Sequence, residues 1–250
     1  MKRVLALLVC LVALTAQRDP TLVPEVSQHE VNVRQGFVGT ELLLFGAVLA
    51  PDGRADANCD IIVVLKGPTR PILVREKRQI GGMWMNAEST AFRSAPSFFA
   101  VASSRPIDRI VDDRTAAIFE FGTGFIQLSP SGAIDPEEQD RFRAGLVDLR
   151  QREGLYIEDD EGVKVSEGVL YQARIELPSN VQTGIYTAET FAVSDGRVLA
   201  SATAEVEVRK VGFERFVEQF ALHQSLLYGL LAISLSVVMG WLAGRAFGRS

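Results

Sequence analysis

Two cysteines and two histidines are all that 250 residues contain. Cys10 lies in an apolar N-terminal run, so a processed chain keeps only Cys59 and can form no intrachain disulfide. Stability must then come from packing and hydrogen bonding, even in an exported compartment that permits disulfides. His29 and His223 share no metal-ligand spacing, and Cys59 has no histidine beside it in the chain. A lone cysteine is most often a small packed residue. Gly-x-Ser-x-Gly and phosphate-loop patterns are missing as well. Positive charge is in deficit, 26 Lys and Arg against 31 Asp and Glu, and a net charge of −5 argues against a strongly basic nucleic-acid binder.

One stretch lacks charge altogether. Residues 226–243 read LLYGLLAISLSVVMGWLA. A helix rises 1.5 Å per residue, so roughly 18–20 such residues cross a hydrocarbon core of about 30 Å. A water-soluble helix of that length would show a polar face, and this one does not. Tyr228 and Trp241 stand near the two ends, where amphipathic rings favour the headgroups. Arg245 and Arg249 follow it without an acid, whereas Glu205, Glu207, Glu214 and Glu218 precede it among Arg209, Lys210 and Arg215. The positive-inside rule places the short tail in the cytoplasm and the bulk of the chain outside.

The start agrees with that topology. Met1-Lys2-Arg3 is a basic n-region and residues 4–14 form a signal-like apolar run. Cleavage after Ala16 leaves Leu14 at a position that prefers a small residue; cleavage after Thr15 puts Ala13 there. A retained N-terminal anchor remains the alternative. The expected organisation is a signal peptide over 1–16, an exported β-rich domain over 17–210, and an amphipathic juxtamembrane helix over 211–224 carrying Phe213, Phe216, Val217 and Phe220. A transmembrane helix over 225–244 and a cytoplasmic tail over 245–250 complete it. The site is a bacterial inner membrane, crossed once, with the domain in the periplasm.

Within the domain, apolar runs and alternation predict strands. Residues 42–49, 61–65 and 72–75 read as buried strands of one sheet, adjacent and antiparallel, with a turn at Pro51-Asp52-Gly53. A short strand covers 83–86 and another 97–103. From Ser104, a cap candidate, Ile107, Ile110, Val111, Ile118 and Phe121 recur at helical spacing. Asp135 and Pro136 open a second helix in capping-box fashion with Glu138. Phe142, Leu146 and Leu149 form its apolar face, and Gly154 ends it. Its arginines, Arg141, Arg143, Arg150 and Arg152, interleave with acids, which suits a solvated face better than an anion site. Asp159-Asp160-Glu161-Gly162 reads as a hairpin turn between 156–157 and 163–165. Tyr171, Ala173, Ile175 and Leu177 share one strand face. Asp195-Gly196 is a two-residue hairpin signal, followed by unbroken alternation from Val198 to Val208. The fold class is mainly β, an immunoglobulin-like β-sandwich with one or two inserted helices, plus a single C-terminal transmembrane α-helix.

Met83-Trp84-Met85 offers the only unusual chemistry. Met83 and Met85 are candidate soft ligands for copper(I), with the indole able to lie against the ion. On a strand the two thioethers share a face and Trp84 takes the other, so core packing accounts for all three without a metal. In the membrane segment Gly229, Ala232, Ser236, Gly240 and Ala243 recur at spacings of three and four, and Gly240 and Gly244 form a Gly-x-x-x-Gly pair. Small residues allow close helix–helix approach in lipid, where apolar burial gives little drive.

Several pieces together resemble a known family. They are Met83-Trp84-Met85-Asn86, residues 96–106 (PSFFAVASSRP), residues 226–230 (LLYGL) and Gly240-Trp241-Leu242-Ala243. Over nearly the whole chain the sequence resembles a family of alphaproteobacterial transmembrane proteins of this length. The resemblance implies an exported domain on a C-terminal helix, and association with a sulfite-exporter-like permease through gene neighbourhood. It brings no catalytic or binding residue and no cofactor. The expected role is therefore a membrane-anchored interaction module, not an enzyme. Its partners are the lipid bilayer and a membrane protein or a second copy met through the helix; no nucleic acid is expected. The alternatives are a periplasmic small-ligand or copper-binding protein, or an enzyme whose site is assembled from distant loops.

Overall fold

Residues 61–65, IIVVL, are wholly buried, which a strand achieves only with layers on both faces. The computed structural model supplies both layers. It describes residues 21–33, 37–49, 59–211, 217 and 220–247. The signal segment, the turn at Pro51-Asp52-Gly53, Phe213 and Phe216 of the expected juxtamembrane helix, and Arg249 lie outside the described residues. The chain divides into one unit of 1–31 with 38–208 and another of 32–37 with 209–250.

In the first unit, β1 (Thr21–Val26), β3 (Gly39–Leu49), β11 (Leu170–Pro178) and β10 (Val163–Ser166) form one sheet in the order β1-β3-β11-β10. The second sheet runs β2-β13-β12-β4-β7-β9. Its strands are β2 (Glu30–Val33), β4 (Asp60–Lys66), β7 (Phe99–Ser103), β9 (Tyr156–Asp159), β12 (Gly184–Ser194) and β13 (Arg197–Lys210). Inward residues of the first sheet, Leu42, Leu44, Tyr171, Ala173, Ile175 and Leu177, are buried. The Tyr171 hydroxyl donates to Thr190 Oγ1 of β12 at 3.4 Å, so the two sheets meet face to face as a sandwich. Gly46 is required at its place in β3, because a Cβ there would stand 2.2 Å from the Val23 carbonyl oxygen and 2.7 Å from the Tyr171 hydroxyl.

The far face of the second sheet is covered by helices. The Phe191 ring of β12 meets Phe121 at 4.9 Å and Phe119 at 5.5 Å between centroids. These aromatics come from α1 (Ile107–Ile110), α2 (Asp113–Phe119) and the residues just after them. The single helix expected from Ser104 is therefore two. Val111 is extended, and Asp112 starts α2 by accepting from the Thr115 amide at 2.9 Å. Ser104 caps nothing: its hydroxyl donates to Asp60 Oδ1 at 3.0 Å and accepts from the Ile61 amide at 3.2 Å. α3 (Pro136–Arg152) is capped as expected, Asp135 accepting from the Glu137 amide at 2.9 Å. Phe142 and Leu146 are buried, but Leu149 is 49% exposed, so the apolar face is narrower than its spacing suggested.

Three strand-pairing expectations are corrected. β3, β4 and β5 (Thr69–Ile80) belong to three different sheets and are not neighbours. β9 pairs in parallel with β7, Phe99 opposite Tyr156, while β10 joins β11; the turn at Asp159–Gly162 therefore passes between sheets and closes no hairpin. Parallel pairing demands a long crossover, and the helical segment 104–155 is that crossover. Finally, the strand at 83–86 is the far end of the longer β6 (Met83–Pro96). The Asp195-Gly196 hairpin is as expected, with both residues at positive φ, 50° and 74°, as a type I′ turn needs.

Candidate functional site

Gly81 and Gly82 have φ of 59° and 86°, so a two-residue turn joins β5 to β6 in one long hairpin. The ladder pairs Ile80 with Met83, Gln79 with Trp84, Arg78 with Met85 and Lys77 with Asn86. β8 (Ser129–Pro130) adds a third strand only opposite Phe92 and Ser94. Beyond that root the ribbon has no other strand beside it among the described residues, and residues 77–87 are all exposed. Ile80 is 52% exposed, Met83 67%, Trp84 70% and Met85 49%. The expectation that core packing accounts for Met83, Trp84 and Met85 fails: a two-stranded ribbon without a covering layer has no core to enter.

The root of the hairpin is firmly held. Phe92 and Ala95 are buried, and the Tyr156 hydroxyl donates to the Pro96 carbonyl at 2.9 Å. Arg141 of α3 reaches Glu76 at 3.3 Å and also pairs with Glu88, while Arg78 Nη2 lies 3.0 Å from Glu88. The other α3 arginines are also engaged by acids, Arg143 with Asp140, Arg150 with Glu153 and Arg152 with Asp148. Met83 and Met85 do share one strand face. Arg78 stands opposite Met85, so a metal cation held there would meet a guanidinium.

Polar clusters elsewhere in the domain are bound up internally. A depression of about 760 Å³ is lined by Cys59, Asp60, Ser104, Arg105 and Arg109 among others. In it the Arg105 guanidinium grips Asp60, Nε to Oδ1 at 2.8 Å, and that hydrogen bond raises the guanidinium pKa. The Cys59 thiol is half-buried and lies 3.7 Å from the Asp60 carbonyl. Lys66 Nζ sits 2.6 Å from Glu120 and 3.5 Å from Glu189. Glu158 accepts from the Thr123 amide and hydroxyl at 3.0 and 2.9 Å. None of these long-range pairs was visible in the sequence, since their members lie 35 to 54 residues apart, as Thr123–Glu158 and Lys66–Glu120 show.

In the second unit, α4 (Ser225–Phe247) is a continuous helix, long and apolar enough over Ser225–Arg245 to cross a membrane. Its described side chains are exposed throughout except at Gly229, which is intermediate. At 3.6 residues per turn, Gly229, Ala232, Ser236, Gly240, Ala243 and Gly244 fall within an arc of about 120°. Nothing lies within 4 Å of where a Cβ would stand on Gly229, Gly240 or Gly244. The Ser236 hydroxyl donates to the Ala232 carbonyl at 2.9 Å, so its proton is used within the helix. Arg245 lies over the Trp241 ring at 5.8 Å, and Phe220 meets Tyr228 edge-on at 6.2 Å.

A β-sandwich domain and one apolar C-terminal helix define a membrane protein of mixed architecture. Residues 21–249 match the family described as "Putative transmembrane protein (Alph_Pro_TM)", and the chain belongs to that family. No curated protein matches it. Among solved structures it is similar to a 35 kDa C-terminal fragment of the major pilin GBS80 of Streptococcus agalactiae, at 11% identity and a TM-score of 0.26. That match covers 77% of this chain and 56% of the fragment, so the chain spans little more than half of that protein's length. A likeness this loose carries no argument.

Proposed function

We propose that the protein is a membrane-anchored interaction module acting by contact, not by catalysis. The β-sandwich domain stands on the outer side of the cytoplasmic membrane, and the α4 small-residue face docks on a membrane partner. That partner is a second copy or a permease of the sulfite-exporter type, which the family resemblance suggests. The observation that carries this reading is the open face of α4, where three glycines leave the backbone bare. Arg245 at the exit of the span, with acids before its entry, supports the orientation. Contact is favoured over catalysis because the carboxylates of Asp60, Glu120 and Glu158 are held by structural partners. Ser236 joins a partner helix as an acceptor, since its proton is already committed; such contacts are worth roughly 0.6–2 kcal/mol.

The test is a double replacement, Ser236→Leu with Gly240→Leu. Leucine is favourable in the bilayer, so insertion should be unchanged. Crosslinking between cysteines placed along that face and the partner should be lost. Crosslinking that persists at the parental level would reduce α4 to an anchor.

A further inference from the structure

The two faces of the β5–β6 tip carry different apolar groups. Cross-strand pairing puts Ile80, Met83 and Met85 on one face and Trp84 on the other. A side-on docking would leave one of these faces in water. End-on entry into a surrounding apolar medium buries both. We propose that this tip is a second membrane contact, in which Ile80, Met83, Trp84 and Met85 enter the lipid interface with Arg75 and Lys77 behind them at the level of the phosphates.

The chemistry is graded along the ribbon as an interface demands. The leading turn is Gly81-Gly82, and one of its carbonyls, that of Gly82, already accepts from Gln79 Nε2 at 3.3 Å. Trp84 follows, a side chain that prefers the headgroup boundary. Lys77 and Arg75 share its face, two and four rungs further back. At about 3.4 Å per rung, Lys77 trails Trp84 by roughly 7 Å, which matches the 5–10 Å depth of interfacial insertions. The acids on the opposite face, Glu76 and Glu88, are engaged by Arg78 and Arg141.

Charge points to the same occupant. Residues 69–96 contain five cations, Arg70, Arg75, Lys77, Arg78 and Arg93, and two acids, Glu76 and Glu88, a net +3 in a chain of net −5. An anionic lipid surface complements that excess. Area disfavours a protein partner. A large aromatic buries about 150–250 Å², so four side chains supply a few hundred, well below the roughly 800 Å² per partner of a stable protein interface. A small contact suffices for lipid because α4 already ties the domain to a bilayer, which makes the second contact intramolecular.

Trp84 is one of two tryptophans, so Trp241→Phe leaves it as the only fluorophore of its kind. The full chain with that substitution is reconstituted in phosphatidylglycerol–phosphatidylcholine vesicles carrying a shallow nitroxide lipid. Trp84 emission is expected to shift to the blue and to be quenched by the nitroxide. Arg75→Gln and Lys77→Gln should each weaken partitioning by about fivefold in these vesicles and leave it unchanged in phosphatidylcholine alone. Met83→Asp with Met85→Asp should abolish quenching, and the exposure of both sites leaves folding intact. Emission typical of water, open to acrylamide and indifferent to the nitroxide lipid, overturns the proposal. So does a Trp84 shielded from acrylamide yet untouched by the nitroxide, which would assign the tip to a protein such as a second copy. Ser236→Leu with Gly240→Leu should leave Trp84 quenching unaltered, so this inference and the helix-docking function fail independently.

Discussion

Two short apolar stretches of the same domain meet opposite environments. Residues 61–65 of β4 have β12 on one side, β7 on the other, the β3–β11 sheet against one face and helices against the other. Ile80, Met83, Trp84 and Met85 have only each other's strand and an open turn. The first stretch is all β-branched or leucine, shaped for a dense interior. The second is a thioether–indole set that adapts to an irregular or fluid boundary. Burial follows from the neighbours that distant chain segments supply, not from apolarity alone.

The comparison breaks most visibly at its buried end. Leu65→Ala should cost about 2–5 kcal/mol by the lost transfer energy and the cavity left in a sheet closed on both faces, read as a lower denaturation midpoint of the full chain in mild detergent. A change below about 1 kcal/mol would mean that the two layers close over the gap.

A smaller effect is expected where the hairpin root meets the sandwich. Tyr156→Phe deprives the buried Pro96 carbonyl of its donor, worth about 0.5–1.5 kcal/mol at neutral pH. It also changes the alkaline limb. Burial pushes the Tyr156 and Tyr186 hydroxyls up to about 12 from 10.0. The folded state then holds these protons more tightly than the unfolded one. The contribution is complete below pH 10 and is lost as pH rises through about 12. The Phe variant should decline less steeply above pH 10; a decline as steep as the parent's would place the alkaline lability elsewhere.

The smallest effect sharpens the contrast. Trp84→Ser should move stability by no more than about 0.5 kcal/mol, as for an exposed site away from caps and ion pairs. A loss of the size seen for Leu65→Ala would show that the tip is packed against something in the isolated protein.

Much of the domain could be read from local pattern. The α3 cap at Asp135-Pro136, the turn at Asp195-Gly196 and the alternation of β11 and β13 obey rules of a few residues' range, and they hold. The exposed tip was partly readable too. Gly81-Gly82 between apolar runs is a two-residue hairpin signal, and giving it weight would have joined 72–80 to 83–96. Asp112 was a sufficient signal to split the helix after Ser104, because a capping residue competes with helix continuation. The parallel pairing of β7 with β9, the sheet change across Asp159–Gly162 and the Asp60–Arg105 pair left no such trace.

By itself the sequence determined the β-rich class, the C-terminal helix and the small-residue arc of Gly229, Ala232, Ser236, Gly240, Ala243 and Gly244. Each rests on periodicity or on the absence of charge, which are properties of one segment at a time. Tertiary structure alone decided which apolar strands are interior and which are displayed. That outcome depends on the layers that chain folding brings over each face, and β4 received two where the Met83–Met85 tip received none. The same apolar side chains lower the free energy in one place by leaving water, and in the other remain available for a contact yet to be made.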